Sequence, residues 1–311
     1  MSKPNVSIII VNYKTLPFVI DCITSILEHT YGIMFEIIVV DNKSNDDCKN
    51  VLESKFGGIV KVIISDLNLG FGQANNLGFK YCLGNAILYL NPDTILMNNA
   101  IKILYEFLIS DSKIGAVGAN LYDEYLNGTN SYIKYLPGLR YEIRKILYIL
   151  SMRKIFSRNE DFNETDLPMQ VEGITGADMM VKANVVLKTG GFDRDYFMYL
   201  EETDLCKRIT DLKYSLYSVP AAKIQHLEGK SFGSKNNNSV NVKKLILNEE
   251  GRRLFAKKHM SYINRLLYNF VYLVRMILIN ILKGNKQRRY VLCLFFYTRK
   301  KLSKEKFIWI K

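Results

Sequence analysis

The chain has 311 residues, 48% apolar and 23% charged, the balance of a protein that buries a real core. This excludes disorder over most of its length and a polytopic membrane protein, and it leaves room for one large α/β domain with an appendage. The net charge of +13 is uneven: residues 231–311 hold 19 Lys/Arg against 3 Asp/Glu, while residues 1–230 hold 24 against 27. The five cysteines (Cys22, Cys48, Cys82, Cys206 and Cys293) are scattered and form no C-x-x-C pair, which excludes a disulfide scaffold and a cysteine zinc site and points to a reducing compartment. Met1–Asn5 leads into a short apolar run without a signal-peptide core, so a cytoplasmic location is expected.

Residues 6–120 alternate strand and helix. Val6–Val11 is a β-branched apolar run of the kind a buried parallel strand requires. Thr15 as N-cap and Pro17 in the first turn open a helix to about His29. Strand and helix then repeat: strands at Phe35–Val40, Val60–Ser65 and Ala86–Leu90, helices at Asp46–Phe56, Gly72–Leu83 and Asn98–Ser110, and a further strand at Ile114–Ala119. Such β-α repetition predicts an α/β fold built on a right-handed, mostly parallel, Rossmann-like sheet with helices on both faces. Residues 121–170 are less regular, and their basic helical stretch Tyr141–Arg158 reads as an insertion or acceptor-side loop. Residues 171–232 return to a compact α/β pattern. The expected organisation is a domain over 1–232, with halves at 1–120 and 121–232, followed by a basic, amphipathic helical tail over 233–311 that opens on the polar linker Ser234–Ser239.

The tail wants an anionic partner. Leu266–Leu282 carries one charge, Arg275, in 17 residues, and Lys283, Lys286, Arg288 and Arg289 follow it. The apolar block Tyr290–Tyr297 then leads into Arg299–Lys301. Apolar and aromatic blocks flanked by cations suit an anionic membrane surface and suit nucleic acid poorly. The run is slightly short of the about 20 apolar residues of a span, and a C-terminal helix packed on the protein's own core is the alternative reading.

Ligands of parallel α/β sheets bind beyond the C-terminal strand ends. Polar clusters sit at four of those ends: Asn12-Tyr13, Asp41-Asn42-Lys43-Ser44, Asn68–Gly78 and Asn91-Pro92-Asp93-Thr94. Each alone is an ordinary turn or cap; four on one rim define a candidate site. Gly70-Phe71-Gly72 is no dinucleotide fingerprint, because the third glycine position is Asn75 and the segment follows strand three; no P-loop is present either. Farther on, Glu201, Glu202 and Asp204 crowd three carboxylates into four residues, a cost that a cation, a metal or a catalytic task would offset. Helical spacing puts Glu201 and Asp204 on one face and Glu202 on another. His226 follows the strand-like Ser215–Ile224 and could join Asp93 around a divalent metal.

The motifs VSIIIVNYKT, VVDNKSND, NLGFGQANNLGF, LNPDT, GADMMVKANVVLKTGGFD, FMYLEETDLCKR and H-x-x-G-x-S occur in that order over about residues 5–232. In this the chain resembles the inverting family 2 glycosyltransferases of the GT-A fold, and their rhamnosyltransferase-like branch. The resemblance implies a transferase that uses a nucleotide-diphosphate sugar donor, with dTDP-L-rhamnose ahead of UDP-sugars, and a lipid-linked or growing glycan acceptor. It implies that Val11 and Tyr13 line the base pocket, that Asp41 hydrogen-bonds the base, and that Gly70 and Asn75 lie against the nucleotide. Asp93 would bind Mg²⁺ or Mn²⁺ on the diphosphate, with His226 as a second ligand; the first acid of the family's D-x-D motif is Asn91 here. The family's acidic pair is Glu201-Glu202, with Glu202 in the place of the general base. Glutamate is one methylene longer than the usual aspartate, so a slightly more open pocket is expected. The different-class alternative is a membrane-bound sugar-nucleotide or glycan-binding protein without catalysis.

Overall fold

The computed structural model describes residues 3–150, 161–227 and 242–283. The expectations at 151–158, Gly229, Ser231, the 234–239 linker and residues 284–311 lie outside the described residues.

In chain order the elements are β1 (Val6–Asn12), α1 (Leu16–His29), β2 (Phe35–Asp41), α2 (Cys48–Phe56), β3 (Val60–Ile64), α3 (Gly70–Phe79), β4 (Ala86–Leu90), β5 (Thr94–Leu96), α4 (Ala100–Ser110), β6 (Ile114–Tyr122), β7 (Tyr132–Ile133), α5 (Leu139–Leu150), β8 (Met169–Val171), β9 (Gly173–Ile174), β10 (Asp178–Lys182), α6 (Ala183–Thr189), α7 (Glu201–Asp211), β11 (Ser215–His226), α8 (Val242–His259) and α9 (Tyr262–Lys283). Helix α3 begins at Gly70, ahead of the expected Gly72, because the Asn68 carboxamide oxygen accepts the Gly70 N–H at 3.0 Å. Thr15 does not cap α1 through its hydroxyl. Its N–H and hydroxyl instead donate to Asn12 Oδ1, each at 3.0 Å, which fastens the start of α1 to the end of β1.

The chain forms two compact units, residues 1–136 with 158–235, and residues 137–157 with 236–311. The helix expected in the 121–232 half is α5, and it groups with the C-terminal helices.

The first unit is built on one sheet of order β3-β2-β1-β4-β10-β6-β11-β5, with β8 paired to β11. Strands β1 to β4 are parallel, as the apolar runs imply. The sheet as a whole is mixed: β10 enters antiparallel between β4 and β6, and β5 and β8 run antiparallel to β11. Alternation along β1 sends Ile8 and Ile10 to one face and Ile9 and Val11 to the other. The first face packs Val19, Ile23 and Ile26 of α1 and Leu104 and Leu108 of α4; the second packs Ala74 of α3, Val185 and Val186 of α6, and Leu205 of α7. Both faces are therefore covered, which is why the strands read as unbroken apolar runs.

Helix α3 lies close on the sheet. A Cβ at Gly78 would stand 2.7 Å from Ile9 Cγ2 and 3.1 Å from Val40 Cγ2.

In the second unit, α5 and α9 are joined by the pair Glu142 Oε2 and Arg275 Nε at 2.6 Å, with Glu142 fully buried. Burial nevertheless lifts the Glu142 carboxyl, against the opposing pull of Arg275. Glu249 of α8 accepts from Arg252 and Arg253 and from the Tyr272 hydroxyl of α9. Burial alone would raise its carboxyl, but these donors hold it below the usual range.

Replacing Gly78 by Ala forces Ile9 or Val40 aside and is expected to destabilise the first unit by about 1–3 kcal/mol, read as a lower urea midpoint with an unchanged slope.

Candidate active site

The parallel strands bring the polar clusters to one rim. Asn12 pairs with Asp41 in register, Ile10 with Leu90, and Asp178 of the reversed β10 also with Leu90. His226 pairs with Thr94. The sequence-predicted residues Asp41, Asp93 and His226 thus stand at the same end of one sheet.

Asp41 and Asn42 end β2 in two different roles. Asp41 Oδ1 accepts the Ser44 N–H at 2.9 Å, and the Ser44 hydroxyl accepts the Lys14 N–H and donates to the Asn12 carbonyl. Asn42 reaches the start of α3: its oxygen accepts the Leu69 N–H at 2.8 Å, and its amide donates to Asn68 Oδ1 and the Gly70 carbonyl. Val11 is buried among Ile9, Val40 and Tyr89, whereas Tyr13 is 42% exposed with the Lys14 ammonium 5.5 Å from its ring. Asn75 is enclosed, and its amide donates to the Phe71 carbonyl one turn back.

Its neighbour Asn76 performs a task the sequence did not disclose. It donates to the Phe192 carbonyl at 2.7 Å and accepts the Phe192 N–H at 2.9 Å, while Gln73 donates to the same carbonyl. The Phe71 N–H donates to the Phe197 carbonyl at 3.1 Å. At Gly70, where φ is +77°, a Cβ would lie 2.1 Å from that carbonyl oxygen. Helix α3 therefore grips the 192–197 segment, which leads directly into the acids of α7. Tyr199 and Leu200, both at left-handed φ (71° and 66°), turn the chain into that helix.

The three acids of α7 differ in environment. Asp204 is fully buried and paired with Arg208, whose Nε and Nη2 stand 2.7 Å from Asp204 Oδ2. The same guanidinium donates to the Thr189 carbonyl. Glu201 is buried, and its Oε2 has no hydrogen-bond partner among the described residues. Burial lifts its carboxyl well above the usual carboxylate range, and the adjacent Glu202 adds to this. Glu202 is half-buried, and its Oε1 accepts the Thr203 hydroxyl at 3.2 Å. Burial lifts this carboxyl as well, against the helix-start N–H groups that favour its charge. A Cβ at Gly176 would lie 3.6 Å from Glu202 Cβ, so Glu202 stands over the β9–β10 turn. The next residue in that turn, Ala177, accepts the Asn91 N–H at 2.9 Å. The turn thereby links the acid of α7 to the Asn91–Asp93 loop.

In that loop, Asp93 Oδ1 lies 3.4 Å from His226 Nε2, and Asn91 Nδ2 lies 3.4 Å from the same nitrogen. The Asp93 carbonyl accepts the Leu227 N–H, which fixes the end of β11 beside it. If the Asn91 amide donates, Nε2 carries a lone pair, the form of imidazole that binds metals. The Oδ1–Nε2 separation, at which a protonated imidazole would form an ion pair, is close to the about 3 Å between cis ligands of an octahedral Mg²⁺ at about 2.1 Å. Asp93 and His226 therefore fit a divalent metal as two protein ligands, and no group of three His, Cys, Asp or Glu residues that could hold one occurs among the described residues. Cys22, Cys48, Cys82 and Cys206 are free, and burial pushes their thiols up to about 12. They remain protonated and offer neither nucleophile nor metal ligand at neutral pH.

Below the rim, Asp178 is fully buried, its carboxylate oxygens accepting the Ala119 N–H at 2.5 Å and the Thr175 hydroxyl at 3.1 Å. Burial pushes its carboxyl up to about 7 despite these donors and the nearby His226.

The mixed sheet, with the Asp93–His226 pair and the raised acids of α7 at one rim, has the GT-A fold of sugar transferases. The model of the Glycosyl transferase family 2 matches residues 7–165, about half of the chain, and the chain belongs to that family. Among characterised relatives, the rhamnosyltransferase WbbL of Escherichia coli K12 is 28% identical over 235 residues, 65% of this chain and 77% of that protein. The N-acetylglucosaminyl-diphospho-decaprenol L-rhamnosyltransferase of Mycobacterium tuberculosis H37Rv is 24% identical over 212 residues, 63% of this chain and 68% of the relative. The fold is shared with the mannosyltransferase PcManGT of Pyrobaculum calidifontis, solved with GDP-Man and Mn²⁺, at a TM-score of 0.58 and 14% identity over 90% of this chain and 73% of that one. It is shared with GalNAc-T7, solved with UDP, GalNAc and Mn²⁺, at a TM-score of 0.57 and 16% identity; the match covers 82% of this chain but about half of GalNAc-T7.

Two predictions follow from the supports of the site. Asn76→Ala should release Phe192 and displace α7, lowering kcat by about 10²-fold while leaving the Kd for donor nucleotide unchanged in titration calorimetry. Asp178 holds its proton in the folded state up to about pH 7 but loses it near 3.8 when unfolded. Its contribution to stability is therefore complete below pH 3.8 and lost as pH rises to about 7. Asp178→Asn should flatten that part of the stability–pH curve, measured by urea unfolding between pH 4 and 8.

Proposed function

We propose that this glycosyltransferase moves a sugar from a nucleotide-diphosphate donor to an acceptor hydroxyl with inversion, using Glu202 as general base. The observation that carries this reading is the separation of the α7 acids: Asp204 is occupied by Arg208, Glu201 is sealed, and Glu202 alone combines raised basicity with an open side.

Asp41 and Tyr13 hold the nucleoside at the ends of β2 and β1, with the backbone of Val11 beneath. Asp93 and His226 would hold Mg²⁺ or Mn²⁺, which would supply electrostatic stabilisation to the diphosphate leaving group. Glu202 accepts the proton of the acceptor hydroxyl as its oxygen attacks the anomeric carbon from the side opposite the diphosphate, and in-line displacement inverts that carbon. A carboxyl lifted by burial is the stronger base for this step.

The relatives support dTDP-L-rhamnose as donor, since two of them are named rhamnosyltransferases. The mycobacterial relative, named for a diphospho-decaprenol substrate, supports a lipid-linked glycan acceptor. UDP-sugars are the second donor reading, consistent with the UDP in GalNAc-T7. With such an acceptor the enzyme would work at the cytoplasmic face of the cell membrane.

Glu202→Gln should lower transfer by 10²- to 10⁴-fold while leaving nucleotide binding intact; retained turnover would remove Glu202 from the role of base. In the parent enzyme the acidic limb of kcat/KM should fall above pH 4.5, because the carboxyl is raised from that value. Calorimetric titration with dTDP and UDP, each with and without Mn²⁺, identifies the donor: binding of dTDP only with metal supports the rhamnosyl reading, and binding of UDP alone overturns it.

A further inference from the structure

Helix α9 has two unlike faces. Tyr262, Ile263, Leu266, Leu267, Phe270, Leu273 and Ile277 are all exposed. At 100° per residue these positions fall within an arc of about 140°, and no charged side chain interrupts it. The opposite face carries the polar contacts. Arg275 meets Glu142, the Tyr272 hydroxyl donates to Glu249, and the Arg252 guanidinium lies 3.8 Å from the Tyr272 ring centre. Arg252 also donates to Asn269 at 3.1 Å. Arg275, the one charge that the sequence sets inside the apolar run, is thus turned inward and ion-paired. Helix α5 leaves Ile143, Leu147 and Leu150 exposed in turn.

Two observations identify what covers the outer arc. Helix α9 is long and apolar enough to cross a membrane by length and composition, yet little of that stretch is buried. Its ion-paired face runs from Tyr268 to Met276, at mid-helix, so an upright helix would carry Glu142, Glu249 and three arginines into hydrocarbon, where charges are costly. A helix lying flat keeps that face on its own unit. Charge selects the surface: between Glu250 and Glu305 there is no acid and there are 14 lysines and arginines. A second copy would bring like charge against like, whereas anionic headgroups complement it.

We infer that α9 lies in the plane of an anionic bilayer, with the Tyr262–Ile277 arc in the headgroup boundary and the Glu142–Arg275 pair holding its other face on the protein. This refines the membrane-side reading given above and does not depend on the donor or base assignments.

The test uses the full chain and preformed vesicles of neutral phosphatidylcholine, with or without about one-third phosphatidylglycerol. The expected result is cosedimentation with the anionic vesicles, at least 10-fold weaker with neutral ones, and release at high salt. The variant Phe270→Glu/Leu273→Glu, both changes on exposed positions, should lose vesicle binding by more than 10-fold while keeping its helical circular dichroism and its nucleotide binding. Equal, salt-resistant binding to both vesicle types would overturn an in-plane seat in favour of a span. A dimer in light scattering that the double variant dissociates, without vesicle binding, would overturn lipid as the occupant. Vesicle binding by a protein that takes up no nucleotide would remove the donor reading and leave this one standing.

Discussion

The carbonyl of Phe197 occupies the space that any side chain at residue 70 would need, and most of the site depends on that contact. Helix α3 is set on the sheet by Gly78 and tied to β2 by Asn42; it then holds Phe192 through Asn76 and Phe197 through the Phe71 N–H. The segment it holds ends in Glu201 and Glu202. The polar rim at the strand ends and a pair of acids more than 100 residues further along the sequence are thereby fixed relative to one another by one ten-residue helix. The glycines of this helix are explained by close approach of other segments, Phe197 at Gly70, Phe192 at Gly72 and Ile9 at Gly78, which no phosphate-loop logic would supply.

The same economy governs charge. Among the described residues of the first unit, burial raises three carboxyls, and each is treated differently: Asp178 on the central strand β10 is held by donors, Glu201 keeps an oxygen unmatched, and Glu202 keeps an open side. Buried Asp204, by contrast, is matched to Arg208. The second unit repeats this pattern with Glu249 and Glu142, whose arginines come from its own helices. Buried charges here are neutralised locally, and the excess of cations falls in residues 231–311 of the sequence.

Much of this was readable from residues. Strands β1 to β4 announce themselves because both of their faces are buried, and the polar residues that end them mark the rim. Family motifs point to Asp93, His226 and Glu202, and the fold brings Asp93 and His226 within 3.4 Å of each other. What escaped was pairing over long range. The run Asp178–Lys182 looks like any apolar strand, and nothing in its periodicity says that it enters antiparallel between β4 and β6. The helical stretch that forms α5 reads as part of an insertion because the partner of Glu142, Arg275, lies 133 positions later, outside any window. Asn76 was invisible as a clamp because its two partners are backbone groups of Phe192, which leave no signature of their own.

Tyr199 and Leu200 both adopt backbone angles that glycine or asparagine would take at less cost, each at a penalty of about 1–3 kcal/mol. The chain thus spends folding energy at the point where it delivers its acids, and that energy maintains an orientation in which Glu201 faces inward and Glu202 outward. A lineage freed from the need to transfer sugar would gain by relaxing this bend. Glycine arriving at 199 or 200, in a descendant with its core intact, would be the mark of a fold kept after its chemistry had been given up.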